Sequence, residues 1–89
     1  MELNKLEDIR LKIKEVIADQ LDISIDKLKG EMTIDELDID SLTFAEMFVN
    51  IENALEMDLD LDKVSSGQTG QTTIKELIDK VIIEVSILK

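Results

Sequence analysis

Apolar residues recur along this chain at helical spacing in three long stretches, separated by two segments that lose the period. In the first stretch, from about Asn4 to Gln20, Leu6, Ile9, Ile13, Val16 and Ile17 share one face, while Lys12, Glu15 and Asp19 lie on others. That is an amphipathic helix. From Leu21 to Asp40 the regularity disappears, and Gly30 and Asp-rich steps separate the isolated apolar residues Ile23, Leu28, Ile34 and Leu37. A long loop pinned to a core at intervals is expected there. The period returns from about Ser41 to Glu56, where Phe44, Met47, Phe48, Ile51 and Leu55 face one way as core. The opposite face carries Leu42, Ala45, Glu46, Val49, Asn53 and Glu56, with Glu52 at its margin. Asp58 to Gln71 is polar again, with Leu59, Leu61 and Val64 as anchors for a short helix. The last helix begins near Thr72 or Thr73, where Thr73 and Glu76 have the spacing of a capping box. Its broad apolar face is Ile74, Leu77, Ile78, Val81, Ile82, Val85 and Leu88. The predicted fold is an all-α bundle of three long helices and one short one, with a long first loop.

Composition narrows the class. The 89 residues make one domain, 1–89, with a thin core that leaves little room for a deep substrate pocket. The absence of Cys excludes disulfides and thiolate metal sites, and the absence of His removes the commonest neutral-pH base and any imidazole ligand. Neither a long apolar run nor a basic segment followed by an apolar one occurs, so no membrane span or signal peptide is indicated. A cytoplasmic, soluble, metal-independent monomer is the expectation.

Charge changes the picture more than composition does. The formal net charge is -11, and between Gly30 and Asp62 there are eleven acids and no Lys or Arg. The other ten acids are matched by ten bases, so this segment carries the whole imbalance. Such a surface repels nucleic acid and attracts basic protein partners. Leu42 and Val49, one heptad apart among those acids, suggest a small contact patch.

Candidate chemistry is sparse. A serine nucleophile needs a nearby base, and neither a His nor a Ser-x-x-Lys pattern exists in the chain. Asp58, Asp60 and Asp62 alternate like the start of a calcium loop. Counting from Asp58, however, Lys63 stands where Gly is required and Thr69 where a bidentate Glu is required. What remains is Asp40-Ser41-Leu42. A Ser opening a helix reads first as an N-cap. The amides and dipole at a helix start also accommodate a phosphate ester on that hydroxyl, so cap and modification site are compatible roles.

Nearly the whole chain resembles the acyl carrier proteins and the related peptidyl carriers. The resemblance rests on Lys14-Glu15-Val16-Ile17-Ala18-Asp19-Gln20-Leu21-Asp22-Ile23, on Leu28, Thr33, Ile34 and Leu37 in the loop, and on Leu37-Asp38-Ile39-Asp40-Ser41-Leu42. Glu46, Glu52 and Thr72-Thr73-Ile74 extend it. It implies that Ser41 receives 4'-phosphopantetheine from coenzyme A through a phosphopantetheinyl transferase. The protein would then hold acyl or related groups as thioesters, without being an enzyme itself. It further implies that Asp40 engages the transferase. Leu42, Glu46, Val49, Glu52 and Glu56 would form a recognition helix for loading enzymes, synthases and transferases with basic docking surfaces. The chain departs from the family at Asp38, where Gly is common, and at Asp60, where Pro often follows the apolar residue. The segment from Asp62 to Gln71 also looks longer. A specialised polyketide, peptide or lipid pathway is therefore as credible as a fatty-acid one. The alternative is a noncovalent acidic adaptor with the same fold and an unmodified Ser41.

Overall fold

The computed structural model describes the backbone of residues 2–88 and the side chains of residues 6–87. Four helices follow one another: α1 (Glu2–Gln20), α2 (Ser41–Leu55), α3 (Leu61–Ser65) and α4 (Ile74–Leu88), with one 3-10 turn at Ile25–Lys27 in the first loop. This is the all-α bundle that the periodicity predicts, long first loop included. The first helix starts two residues earlier than Asn4, where the apolar period alone could not mark its end.

Each long helix buries the stripe its spacing defines. Ile13, Ile17 and Ala18 come from α1, Met47, Phe48 and Ile51 from α2, and Ile74, Leu77, Ile78, Val81 and Val85 from α4. Phe44, Leu55 and Ile82 pack against this core while staying half-buried. Helix α1 packs on both α2 and α4, and short α3 packs on α4, adding the buried Val64. Leu6, expected in the α1 stripe, is 37% exposed. The side chain of Leu88, expected on the apolar face of α4, lies outside the described residues.

The first loop is pinned as its scattered apolar residues suggest. Leu28 and Ile34 are buried, and Ile23 and Leu37 pack on the core partly exposed. Ile39 is a further buried anchor, isolated between two Asp residues where no period could reveal it. Backbone bonds also tie this loop to the lead-in of α4. The Ile34 N–H donates to the Thr72 carbonyl (2.9 Å), Asp35 to Gly70 (3.0 Å), Ile74 to Met32 (2.8 Å) and Lys75 to Gly30 (2.9 Å). A capping box opens each side of this seam. The expected one joins Thr73 and Glu76 (2.9 and 3.2 Å), and a second joins Thr33 and Glu36 (2.8 and 3.1 Å).

Three non-glycine residues sit in the left-handed region: Asp22 (φ 58°), Asp38 (φ 55°) and Glu56 (φ 54°). Each ends a helical turn with the same pair of bonds, its own N–H reaching back three residues and the next N–H reaching back five. For Asp38 the acceptors are Asp35 (3.1 Å) and, from Ile39, Ile34 (3.1 Å). Gly is the usual occupant of such a position because it has no Cβ to clash. The chain therefore keeps at Asp38 the backbone shape that a glycine would favour. Asp38→Gly is expected to raise stability by about 0.5 kcal/mol, because relief of the Cβ clash exceeds the added freedom of the unfolded chain. A urea titration checks this, and a lower midpoint would show that the Asp38 side chain itself supports the turn.

Candidate functional site

Ser41 is held in place by the residues before it. Buried Ile39 anchors the loop end, and Asp40 follows in extended conformation (φ -87°, ψ -179°). The Thr43 N–H donates to Asp40 Oδ1 (2.8 Å) and the Phe44 N–H to the Asp40 carbonyl (2.8 Å). Asp40 is thus the N-cap of α2, and Ser41 is its first helical residue. This corrects the first reading of Ser41 as the cap. The cap residue is the non-helical one before the first turn, and Asp40 is extended there while Ser41 already has helical conformation. The exposed Ser41 side chain makes no hydrogen bond to the described residues.

The same bonds set the charge at this point. The Thr43 N–H holds the Asp40 carboxyl below its ordinary value of 3.8. A carboxyl lowered in the folded chain stabilises the fold above its unfolded pKa and loses that contribution as pH falls through its folded value. The start of α2 is therefore expected to weaken in acid. Asp40→Asn, a neutral cap of equal quality, should remove that part of the acid sensitivity in thermal melts taken between about pH 5 and pH 2. An unchanged pH profile would mean the Asp40 charge does not stabilise the helix. Because Asp40 occupies the Thr43 amide, a phosphate ester on Ser41 would rely on the α2 dipole rather than on that N–H.

Leu42, Glu46 and Val49 run down one exposed side of α2, with Leu42 at 68% and Val49 at 51% exposure, and Glu56, also exposed, sits in the left-handed turn just past the helix end. Gln20, the last residue of α1, braces this side: its Nε2 donates to Glu46 Oε1 (3.4 Å), and Asn50 Nδ2 donates to its Oε1 (2.6 Å). Glu52 behaves differently. Half-buried, it accepts the Leu59 N–H (2.8 Å) and so fastens the chain leaving α2. Among the described residues both ion pairs converge on Asp79, from Arg10 (2.8 Å) and Lys75 (3.4 Å), away from the α2 face. Among the described residues, no Lys or Arg forms an ion pair with an acid of α2. Asp60, in the alternating run after α2, caps α3 by accepting the Lys63 N–H (3.3 Å).

Beside Ser41 lies an open groove of about 440 Å³. It forms because α2 packs mainly on α1 and α3 on α4, so the start of α2 and α3 stand apart. Asp40, Ser41 and Asp62 edge it, and Ile39, Phe44 and Leu61 supply apolar wall. Ile34, Ala45 and Ser65 line it as well, and the loop after α3 adds Gln68, Thr69 and Gly70. Sequence reasoning left no room for a deep pocket and did not find this shallow one, because it depends on which helices pack together. An exposed unbonded hydroxyl at the mouth of a groove suits a long, flexible group attached at Ser41.

A family model described as the phosphopantetheine attachment site matches residues 11–81. Acyl carrier proteins from three strains of Clostridium perfringens (SM101, ATCC 13124 and 13) are each 43% identical over 49 residues. That match covers 54% of this chain and 64% of each relative, so the chain spans less than two thirds of the curated relatives it matches. No solved structure gives a significant match. The family match runs from the middle of α1 into α4 and takes in the first loop, α2 and the groove. On that extent of agreement, the chain belongs to the phosphopantetheine attachment site family, the acyl carrier family that its residues resemble.

Proposed function

We propose that Ser41 carries a 4'-phosphopantetheine arm and that the chain shuttles acyl or related intermediates between the enzymes of a fatty-acid, polyketide or similar biosynthesis. The observation that carries this reading is the Ser41 hydroxyl, exposed and free of hydrogen bonds at a helix start already capped by Asp40. Attachment forms a bond from Ser41 Oγ to phosphorus, breaks the pyrophosphate bond of coenzyme A and releases adenosine bisphosphate. The hydroxyl proton goes to a base on the transferase, since this chain has no His. The arm supplies the thiol that the chain lacks and holds its cargo as a thioester. Intact mass after incubation with coenzyme A and phosphopantetheinyl transferases of broad specificity tests the proposal. A gain of one phosphopantetheinyl group is expected. No gain with several competent transferases would instead support the noncovalent adaptor.

The exposed side of α2 is read as the docking surface for the transferase, the loading enzyme and later synthases. Its acids speed encounter with basic partners, and Leu42 and Val49 supply apolar contacts that lose water on docking. Glu46→Lys is expected to slow modification strongly at low salt and much less at high salt, where charges are screened. Glu46 is the clean position for this measurement, because Glu52→Lys also removes the acceptor of the Leu59 N–H. Equal rates and equal salt dependence for Glu46→Lys and the parent chain would reduce the acidic face to a solvated surface.

A further inference from the structure

A further shallow groove, of about 400 Å³, lies where α2 meets α1, away from the groove beside Ser41. Lys12, Glu15, Val16 and Asp19 of α1 line it together with Ala54 of α2. Val16 and Ala54 are half-buried and form an apolar floor, whereas Lys12, Glu15 and Asp19 are exposed at the rim. Glu15 and Asp19 stand one turn apart on α1, at a spacing where like charges oppose each other. Among the described residues, neither of them belongs to an ion pair, and nor does Lys12. Lys12 lies nearer the start of α1, so the rim is basic at one end and acidic at the other. Gln20, next to Asp19, accepts from Asn50 (2.6 Å) and donates to Glu46 (3.4 Å). The exposed side of α2 therefore continues across the seam onto the end of α1.

We infer that a protein partner docked on α2 reaches across this seam and lays one long basic side chain, Arg or Lys, in the groove. Its methylene stem covers Val16 and Ala54, and its cation sits between Glu15 and Asp19, as amphipathic side chains bury the stem and keep the charge in water. Lys12 repels that cation from the other end and so sets the direction of the side chain. An acidic side chain is turned away by Glu15 and Asp19, and an apolar one leaves their repulsion unrelieved. This rests on the reading of α2 as a docking surface, and it adds Glu15 and Asp19 as determinants of which partner fits. The distance allows it. Ala54 stands 13 residues beyond Ser41 on α2, about 20 Å along the helix axis. A partner covering about 800 Å² spans roughly 30 Å, enough to engage Ser41 and the seam together.

The test uses the full chain and a phosphopantetheinyl transferase of broad specificity, the partner that the Ser41 reading requires. Modification rate is followed by intact mass at low and high salt, and transferase binding to the unmodified chain by fluorescence anisotropy. Glu15→Gln with Asp19→Asn removes the acidic end, and Ala54→Leu fills the groove without changing charge. Glu31→Gln, at an exposed acid of the first loop beside the Gly30–Lys75 bond, controls for lost net charge. Helical signal confirms that each variant folds, and Ala54→Met, with its more adaptable side chain, replaces Ala54→Leu if that one does not. The double variant is expected to slow modification about tenfold at low salt and much less at high salt. Ala54→Leu slows it several-fold at both salts, and Glu31→Gln leaves it within about twofold of the parent. Mass gain with any other pattern overturns the seam contact and leaves attachment at Ser41 standing. If no mass is gained, weaker binding of the transferase to the double variant and to Ala54→Leu keeps the seam and overturns attachment. No mass gain with absent or unchanged binding overturns both.

Discussion

Ser41→Ala is expected to abolish the proposed gain of one phosphopantetheinyl group in intact mass and to leave stability within about 0.5 kcal/mol of the parent chain. Both halves of this expectation come from one arrangement. Ser41 is the first residue of α2, exposed, with no bond from its hydroxyl to the described residues. Removing that hydroxyl therefore breaks nothing in the fold, and Ala is the better helix former. Asp40→Ala acts mainly on stability, and it slows modification without abolishing it where Asp40 engages the transferase, as the family resemblance implies. It strips the Thr43 N–H of its acceptor and lowers the urea midpoint, while Ser41 keeps its oxygen for modification. Measured side by side, the two variants separate the cap from the attachment point. Mass gain surviving in Ser41→Ala would move attachment to another serine, such as Ser24, Ser65, Ser66 or Ser86. A large stability loss in Ser41→Ala would make its role structural.

Ile51→Ala is expected to cost about 2–5 kcal/mol, whereas Val49→Ala stays within about 0.5 kcal/mol. The two residues stand two positions apart on α2, on opposite sides. Ile51 is 2% exposed and packed in the core, and Val49 is 51% exposed beside Glu46. Truncating Ile51 removes buried apolar contact and opens a cavity that its close-packed neighbours fill only in part. Domain stabilities of about 5–15 kcal/mol make such a loss a large fraction of the total. On the proposed docking surface, Val49→Ala should instead act on association, slowing modification by removing an apolar contact offered to the transferase. Urea unfolding followed by helical signal measures the first effect, and modification rate the second. Comparable stability losses at both positions would mean that Val49 is part of the core. The docking face of α2 would then have to be redrawn.

Much of this was legible in the residues because it depends on local rules. The 3.6-residue period distinguishes Ile51 from Val49 without any knowledge of what packs against them. The Thr73-Glu76 box was legible for the same reason, as its bonds close within three residues. Thr33 and Glu36 form an identical box, yet no apolar period follows them to announce it. Ile39 was hidden because a lone apolar residue carries no period, although it anchors the chain beside Ser41. The left-handed turn at Asp38 was obscured by an acid standing where glycine is usual.

The sequence by itself determined the helical class, the apolar and acidic sides of α2, the missing Cys and His, and Ser41 as the residue of interest. These follow from neighbours along the chain and from which side chains are present at all. Tertiary structure decided the rest. It turned Glu52 to the Leu59 N–H and let α2 and α3 stand apart so that a groove opens beside Ser41. It also left the Gln68 carbonyl buried without a partner. Each of these depends on the course of a loop or on which helices choose one another. Hydrophobic burial drives that choice without direction, so no local pattern records it.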